Sequence, residues 1–329
     1  MDVSCGACSF SPVMVCDECR GHFTLMSSPS STRTFPVTDY DLDATFTSGQ
    51  TFRWRKQAES WTGVIGTHWL RLRSDPFSIT AETAEPITDW SWLTEHLQLD
   101  LDLTALLLTF PDDEPMRAAV TACRGLRLLR QDHWECLASF VLSSTKQIVQ
   151  IQQIISLLCA RFGEPLPAPP SEAPVHAFPS AARLARATEA ELRACKMGFR
   201  APYLLGIARA IASGKFVPAR LSLLPIDSAR HELMLLPGVG RKIADCVLLF
   251  AYGFASSFPV DVWVARALRR LYFPRRRVNL QRLHHFAAGH FGPNAGYAQQ
   301  YLFHYMRVKA GNTGKSAAPR RRIVRLNSR

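Results

Sequence analysis

Two hydrophobic rhythms divide the chain. Over residues 33–104 the apolar positions come in short runs rich in aromatic or β-branched residues: Phe52-Arg53-Trp54, 61–64 and 68–72, broken by Gly and Asp. Such runs predict the strands of a small antiparallel sheet, with Ser48-Gly49-Gln50 as the turn before the first of them. From about residue 105 the rhythm lengthens. Leu137, Phe140, Val141, Ile148, Ile151, Ile155 and Leu158 recur at threes and fours, which is the buried stripe of helices. Asp132 followed by Glu135 resembles a capping box at the start of this stripe, and the polar stretch 143–147 breaks it into two helices. Residues 164–179 hold Pro165, Pro167, Pro169, Pro170, Pro174 and Pro179, so they read as an extended surface connection rather than an element. Helical patterns resume at about 180–195, 200–213 and 227–236, and no internal repeat is evident.

The fold class expected from this pattern is α+β: a small twisted antiparallel β-sheet domain over residues 35–130, packed on an all-α domain over 131–310. A Cys/Ser-rich extension, 1–34, precedes them and a basic tail, 311–329, follows.

Composition narrows the class. With 47% hydrophobic and 20% charged residues in 329, disorder and coiled coil are excluded as the main state. No run of about 18 apolar residues offers a membrane span, and the start lacks the basic and apolar regions of a secretory signal. Cys123, Cys136, Cys159, Cys195 and Cys246 stand singly in apolar segments, as reduced thiols of an intracellular protein do. Cys5/Cys8 and Cys16/Cys19 form two CxxC pairs that offer four thiolates to one zinc, but only seven residues separate them; an unstructured leader is the alternative. The net charge of +12 is concentrated: residues 261–329 carry fifteen Lys/Arg and the single acid Asp261, and the other 260 residues sum to −2. A basic third on a near-neutral body predicts a face for a polyanion.

The chemistry lies in HELMLLPGVGRKIADCVLLFAYGFASSFPVDVW, residues 231–263. A helix ends near Leu236, Pro237-Gly238-Val239-Gly240 turns tightly, and a second helix runs from about Arg241 to a stop at Gly253. The N-terminus of that second helix suits a phosphate, although an ordinary helix–helix turn has the same glycines. Lys242 lies on its first turn and Asp261 nineteen residues on, after Pro259-Val260.

The Leu-Pro-Gly-Val-Gly-x-Lys…Pro-Val-Asp pattern resembles the helix-hairpin-helix-GPD superfamily of DNA glycosylases, and within it the 8-oxoguanine DNA glycosylase/AP lyase family. The resemblance spans about residues 35–308. It includes Ser48-Gly49-Gln50-Thr51-Phe52-Arg53-Trp54, Leu126-Arg127-Leu128-Leu129-Arg130-Gln131-Asp132, Gly198-Phe199-Arg200-Ala201 and Gly296-Tyr297-Ala298-Gln299…Phe303. It implies base-excision repair of 8-oxoguanine in duplex DNA, with Lys242 as the Schiff-base nucleophile and Asp261 as the carboxylate that stabilises positive charge on the sugar. It further implies that the Gly49 carbonyl accepts the N7–H that guanine lacks, that Gln299 bonds the Watson–Crick edge, and that Cys246 and Phe303 hold the two ring faces. Taken alone, Cys246 and Phe303 read as core residues and Gly49 as a turn glycine. Pro237, Gly238, Val239 and Gly240 would grip the DNA backbone. The partners implied are duplex DNA bearing 8-oxoguanine or abasic sites, with no membrane, no organic cofactor and no metal ligands among the site residues; a monovalent cation held by the hairpin carbonyls stays open. The protein would be a monomer located with the DNA. A glycosylase for another damaged base and a catalytically inert DNA-binding module are the alternatives.

The chain departs from the family around the opposite base. Thr145, Lys146 and Gln147 stand where eukaryotic-type relatives have an asparagine triplet, and Gln150 stands in place of an arginine that reads the opposite cytosine. Arg200 is kept and Phe199 replaces a tyrosine wedge. A threonine has no amide fork, so a relaxed preference for the opposite base is expected. Trp263 takes the place of a phosphate-contacting histidine.

Overall fold

The computed structural model describes residues 30–144 and 147–314, with side chains up to Val308. The four leader cysteines, Thr145 and Lys146 therefore lie outside the described residues, as does the tail from 315.

Five strands, β1 (Ser31–Pro36), β2 (Arg55–Gln57), β3 (Ser60–Ile65), β4 (His68–Ser74) and β5 (Ser78–Thr83), form one antiparallel sheet in the order β1-β5-β4-β3-β2. Alternation sets the face: Leu70 and Leu72 of β4, and Ile79 and Ala81 of β5, are fully buried in an apolar cluster. Helix α1 (Leu42–Thr47) leads out of β1. Its Phe46 stacks on Trp54 with ring centroids 4.2 Å apart, and Trp61 packs beside them.

The strand-rich stretch also holds short helices. α2 (Ser91–Leu97) buries Leu93 and Leu97 against the sheet, and α3 (Leu103–Leu107) follows. Each is two turns or less, too short for a helical period to stand out from a strand-like run. α4 (Glu114–Ala122) packs on the last helix of the chain, and its Met116 and Ala119 enter the helical core.

That core is built by α5 (His133–Leu142) and α6 (Ile148–Phe162), which flank the polar break. Asp132 caps α5, accepting from the Trp134 and Glu135 amides at 2.9 and 2.8 Å. The reciprocal half of a capping box is not formed, because Glu135 turns away to pair with Arg53 at 3.3 Å. The proline-rich connection is extended but includes one two-residue pairing, β6 (Pro165–Leu166) with β7 (Val175–His176). There follow α7 (Ala181–Ala185), α8 (Glu189–Ala194), α9 (Ala201–Ala212), α10 (Ile226–Met234), α11 (Arg241–Phe250), α12 (Val262–Tyr272), α13 (Leu280–His290) and α14 (Ala295–Gly314). All five described cysteines are free and buried. Among the described residues no helix is long and apolar enough to cross a membrane.

Candidate active site

Helices α10 and α11 meet at Pro237-Gly238-Val239-Gly240. Val239 is buried and anchors the turn, while the other three are exposed. Gly238 has φ +74, and a Cβ there would lie 2.6 Å from the Tyr203 ring, so neither the backbone nor the packing admits a side chain. Gly240 caps α11 and faces open space, which leaves the first amides of α11 approachable.

The hairpin is braced from behind. Asp245, on the first turn after Lys242, is 1% exposed. Its Oδ1 accepts from Arg230 Nε of α10 at 2.6 Å, and Ser257 Oγ donates to its backbone carbonyl at 2.9 Å. Burial pushes the Asp245 carboxyl up, and the Arg230 guanidinium opposes that shift. An acid inside the apolar run of α11 was the available sequence signal for this brace.

Lys242 and Asp261 line one cavity of about 450 Å³ that opens between the Gly49 turn, α6, the hairpin and α14. Gly49, Phe303, Phe140, Ile148, Trp263 and Arg307 share its wall. Lys242 Nζ donates to Ser143 Oγ at 3.5 Å and rests 5.2 Å from the Phe140 ring centroid. Asp261 caps α12, accepting from the Val264 amide through Oδ1 at 2.7 Å, and the residue lines the cavity. One amine, one carboxylate and apolar walls on an open cleft are the parts needed to attack an electrophilic carbon and steady positive charge beside it.

The Gly49 turn is fixed by residues that the sequence shows only as part of a motif. Gln50 is fully buried; its Nε2 donates to the carbonyls of Thr45 and Arg127 at 3.0 and 2.8 Å, and its Oε1 accepts from the Leu129 amide at 2.8 Å. Gln300 of α14 donates to the Ser48 carbonyl at 2.8 Å. These bonds tie the turn to both the helical body and α14.

The other expected site residues are placed less directly. Cys246 is buried one turn behind Lys242; burial pushes its thiol up to about 11, against the pull of the Lys242 charge. Gln299 is 4% exposed, and its buried Oε1 has no hydrogen-bond partner in the protein. Neither is among the residues lining the open cavity, whereas Phe303 is. Phe199 is exposed, whereas Arg200 is 2% exposed with its guanidinium 4.2 Å from the Phe199 ring centroid. Gln150 is occupied locally, its Oε1 accepting from the Gln147 amide at 3.1 Å. Trp263 lines the cavity and carries Arg266 over its ring at 5.0 Å. Among the described residues no cluster of three or more His, Cys, Asp or Glu is arranged to hold a metal ion.

Comparison with known proteins bears on this geometry. Residues 34–137 match the family described as 8-oxoguanine DNA glycosylase, N-terminal domain, and residues 138–285 match the HhH-GPD superfamily base excision DNA repair protein. The chain is 32% identical over 287 residues to the N-glycosylase/DNA lyase OGG1 of Arabidopsis thaliana, covering 81% of this chain and 77% of that one. The solved structure of MBOgg1 in complex with a low affinity DNA ligand is similar at TM-score 0.81 and 31% identity, covering 85% of this chain and 96% of that one. The Clostridium acetobutylicum 8-oxoguanine glycosylase/lyase, in complex with duplex DNA containing cytosine opposite 8-oxoguanine, is similar at TM-score 0.77 and 28% identity, covering 84% and 98%.

Proposed function

The chain belongs to the 8-oxoguanine DNA glycosylase family of the HhH-GPD superfamily, and from that membership we propose how its own residues carry out the reaction. The protein excises 8-oxoguanine from duplex DNA and cleaves the strand at the abasic site. The observation that carries this mechanism is the shared cavity of Lys242 and Asp261 at the foot of the hairpin.

The hairpin amides hold the backbone, and the damaged nucleotide leaves the stack to enter the cleft. Lys242 attacks C1′ as the bond to the base breaks, with Asp261 stabilising the positive charge that develops on the sugar. The sugar ring then opens at C1′–O4′, with O4′ taking up a proton, to give the Schiff base; this makes the C2′ proton acidic, and β-elimination expels the 3′-phosphate and nicks the strand. The Gly49 carbonyl accepts the N7–H of the lesion. Guanine in that place would set two buried acceptors against each other, which costs roughly 1–3 kcal/mol or more. The unpaired Gln299 Oε1 supports a role on the Watson–Crick edge, because a buried acceptor without a partner is costly until a ligand supplies the donor. Phe303 and Cys246 bracket the ring. The enzyme works as a monomer in the compartment that holds the DNA.

Gly49→Ala tests the turn. The left-handed φ of +81 and a Cβ 3.2 Å from Phe303 Cε1 and 3.3 Å from Ile148 Cδ1 strain any side chain there. Excision of 8-oxoguanine is expected to fall roughly tenfold or more, in line with about 1–3 kcal/mol of strain, and nicking at a preformed abasic site to fall much less. Single-turnover rates on the two substrates decide; equal losses would remove Gly49 from base reading.

The opposite base is read weakly. Gln150 is spent on capping α6, and Arg200 must leave its place beneath Phe199 to reach a cytosine. Nicking of 8-oxoguanine duplexes with C, A, G or T opposite is expected to proceed on all four, at rates within about tenfold of one another. That spread equals a single contact at the low end of the roughly 1–3 kcal/mol range for a good bidentate pair. A hundredfold preference for C would overturn the relaxed-specificity reading, and no strand scission on any duplex would overturn the function itself.

A further inference from the structure

We propose that Arg307 is a substrate-contacting residue of the lesion pocket, donating a hydrogen bond to the carbonyl-bearing edge of the departing base and stabilising the negative charge it acquires. The inference rests on the 8-oxoguanine reading above.

Arg307 lies four residues beyond Phe303 and eight beyond Gln299, so α14 presents all three from one face. Its guanidinium lines the same cavity as Lys242 and Asp261, and those two cations and one carboxylate are the charged groups of the wall among the described residues. The fork is held in place: Nη1 donates to the Thr47 carbonyl at 2.9 Å, and the guanidinium carbon is 5.5 Å from the Phe303 ring centroid. A Cβ on Gly49 would lie 3.4 Å from that Nη1, which puts the guanidinium beside the Gly49 turn that the proposed function assigns to base reading. The Asp261 carboxylate opposes the burial cost of the Arg307 charge, and both side chains line the one cavity.

A second cation in this position does nothing for positive charge forming on the sugar. It does suit the other product of heterolysis. As Nζ of Lys242 bonds to C1′, the C1′–N9 electron pair passes to the purine and spreads onto its carbonyl oxygens. Lys242 attacks as the free amine, its ammonium proton first passing to water; the secondary ammonium that forms releases a proton to water, and the base takes one up. Arg307 itself transfers no proton, since a guanidinium is not deprotonated in proteins; it contributes fixed donors aimed at the electron-rich edge. Four of its five N–H groups are not used on Thr47.

The test measures two single-turnover rates, release of 8-oxoguanine and nicking at a preformed abasic site, for wild type, Arg307→Met and Arg307→Lys. Loss of one well-placed donor to a developing anion lowers rates by about 10²–10³. Arg307→Met is therefore expected to cut excision by about 10²-fold and to raise the ratio of abasic-site nicking to excision at least tenfold, a range set by that same donor loss. Arg307→Lys, which keeps the charge, is expected to recover part of the excision rate. Equal losses on both substrates would assign Arg307 to folding or backbone binding, and an unchanged excision rate would remove it from the site; either result overturns the proposal. If Arg307→Met does not fold, the same ratio is read on Arg307→Lys and Arg307→Gln. A wild-type enzyme that nicks abasic DNA but releases no 8-oxoguanine would instead overturn the reading on which the proposal rests.

Discussion

Lys242→Gln is expected to release 8-oxoguanine and nick abasic DNA on the order of 10⁶-fold more slowly than the parent, the scale of losing a covalent nucleophile. Glutamine keeps much of the side-chain length, but an amide nitrogen cannot attack C1′ or form a Schiff base. The substitution leaves the fold alone. Lys242 is half-buried at the cavity wall, and its hydrogen bond, to Ser143 Oγ, is long at 3.5 Å. Thermal unfolding of the variant should therefore match the parent, while gel-based nicking of both substrates drops to background. A Lys242→Gln enzyme that cuts abasic DNA at the parent rate would show that another amine forms the intermediate.

Arg230→Met is expected to have the largest effect on stability. The Asp245 side chain is 2% exposed and that of Arg230 13% exposed, with Nε to Oδ1 at 2.6 Å. Removing the guanidinium leaves a buried carboxylate whose remaining cation, Arg241, is half-exposed and 3.7 Å away. Breaking one side of a buried pair costs roughly 3–5 kcal/mol, because the other charge is left uncompensated. Arg230 also pairs with Asp227, but that carboxylate is largely exposed and contributes little. The pH dependence has a definite sign. Burial raises the Asp245 carboxyl in the folded state, and without Arg230 only the weaker pull of Arg241 and His284 opposes that rise. A group with a raised folded-state value gives its stability below its unfolded value, near pH 4, and loses it as pH climbs through the folded value. The deficit of Arg230→Met is therefore smaller at pH 5 than at pH 8. Urea unfolding at both values checks it; a deficit under about 1 kcal/mol at pH 8, the level of an exposed pair, would show that the hairpin does not depend on this brace.

Both predictions concern α11, and they show what the sequence could and could not reveal. Lys242 and Asp261 were legible because a glycine turn, a first-turn lysine and a capping aspartate have fixed spacings along the chain, and the structure brings both to one cavity. Strands β3 and β4 were legible from their short aromatic and branched runs, since alternation needs only a few residues to register, but Phe52-Arg53-Trp54 is not a strand: it is the irregular link between the Gly49 turn and β2, whose residues Arg55, Lys56 and Gln57 carry no apolar signal. Helices α2 and α3 were not, being two turns or less. Glu135 shows the limit of local motifs: its sequence position fits a capping box, yet Arg53, 82 residues away in the chain, takes its carboxylate. The brace at Asp245 has the same origin, a charged side chain whose partner is supplied by the tertiary fold. Arg307 was within reach, because Gln299, Phe303 and Arg307 repeat at intervals of four, but the significance of the third member depends on where the Gly49 turn docks. That docking is set by Gln50 and Gln300, two amides that read as ordinary polar residues until their partners are seen.

The central claim is that one lysine amine becomes covalently joined to the sugar of an extruded nucleotide. Borohydride reduction during turnover of an 8-oxoguanine duplex, followed by proteolysis and mass spectrometry of the linked peptide, tests it most directly. The account predicts a stable protein–DNA adduct attached at Lys242 of α11. An adduct carried by a different residue, or none from an enzyme that is cutting the strand, would contradict it.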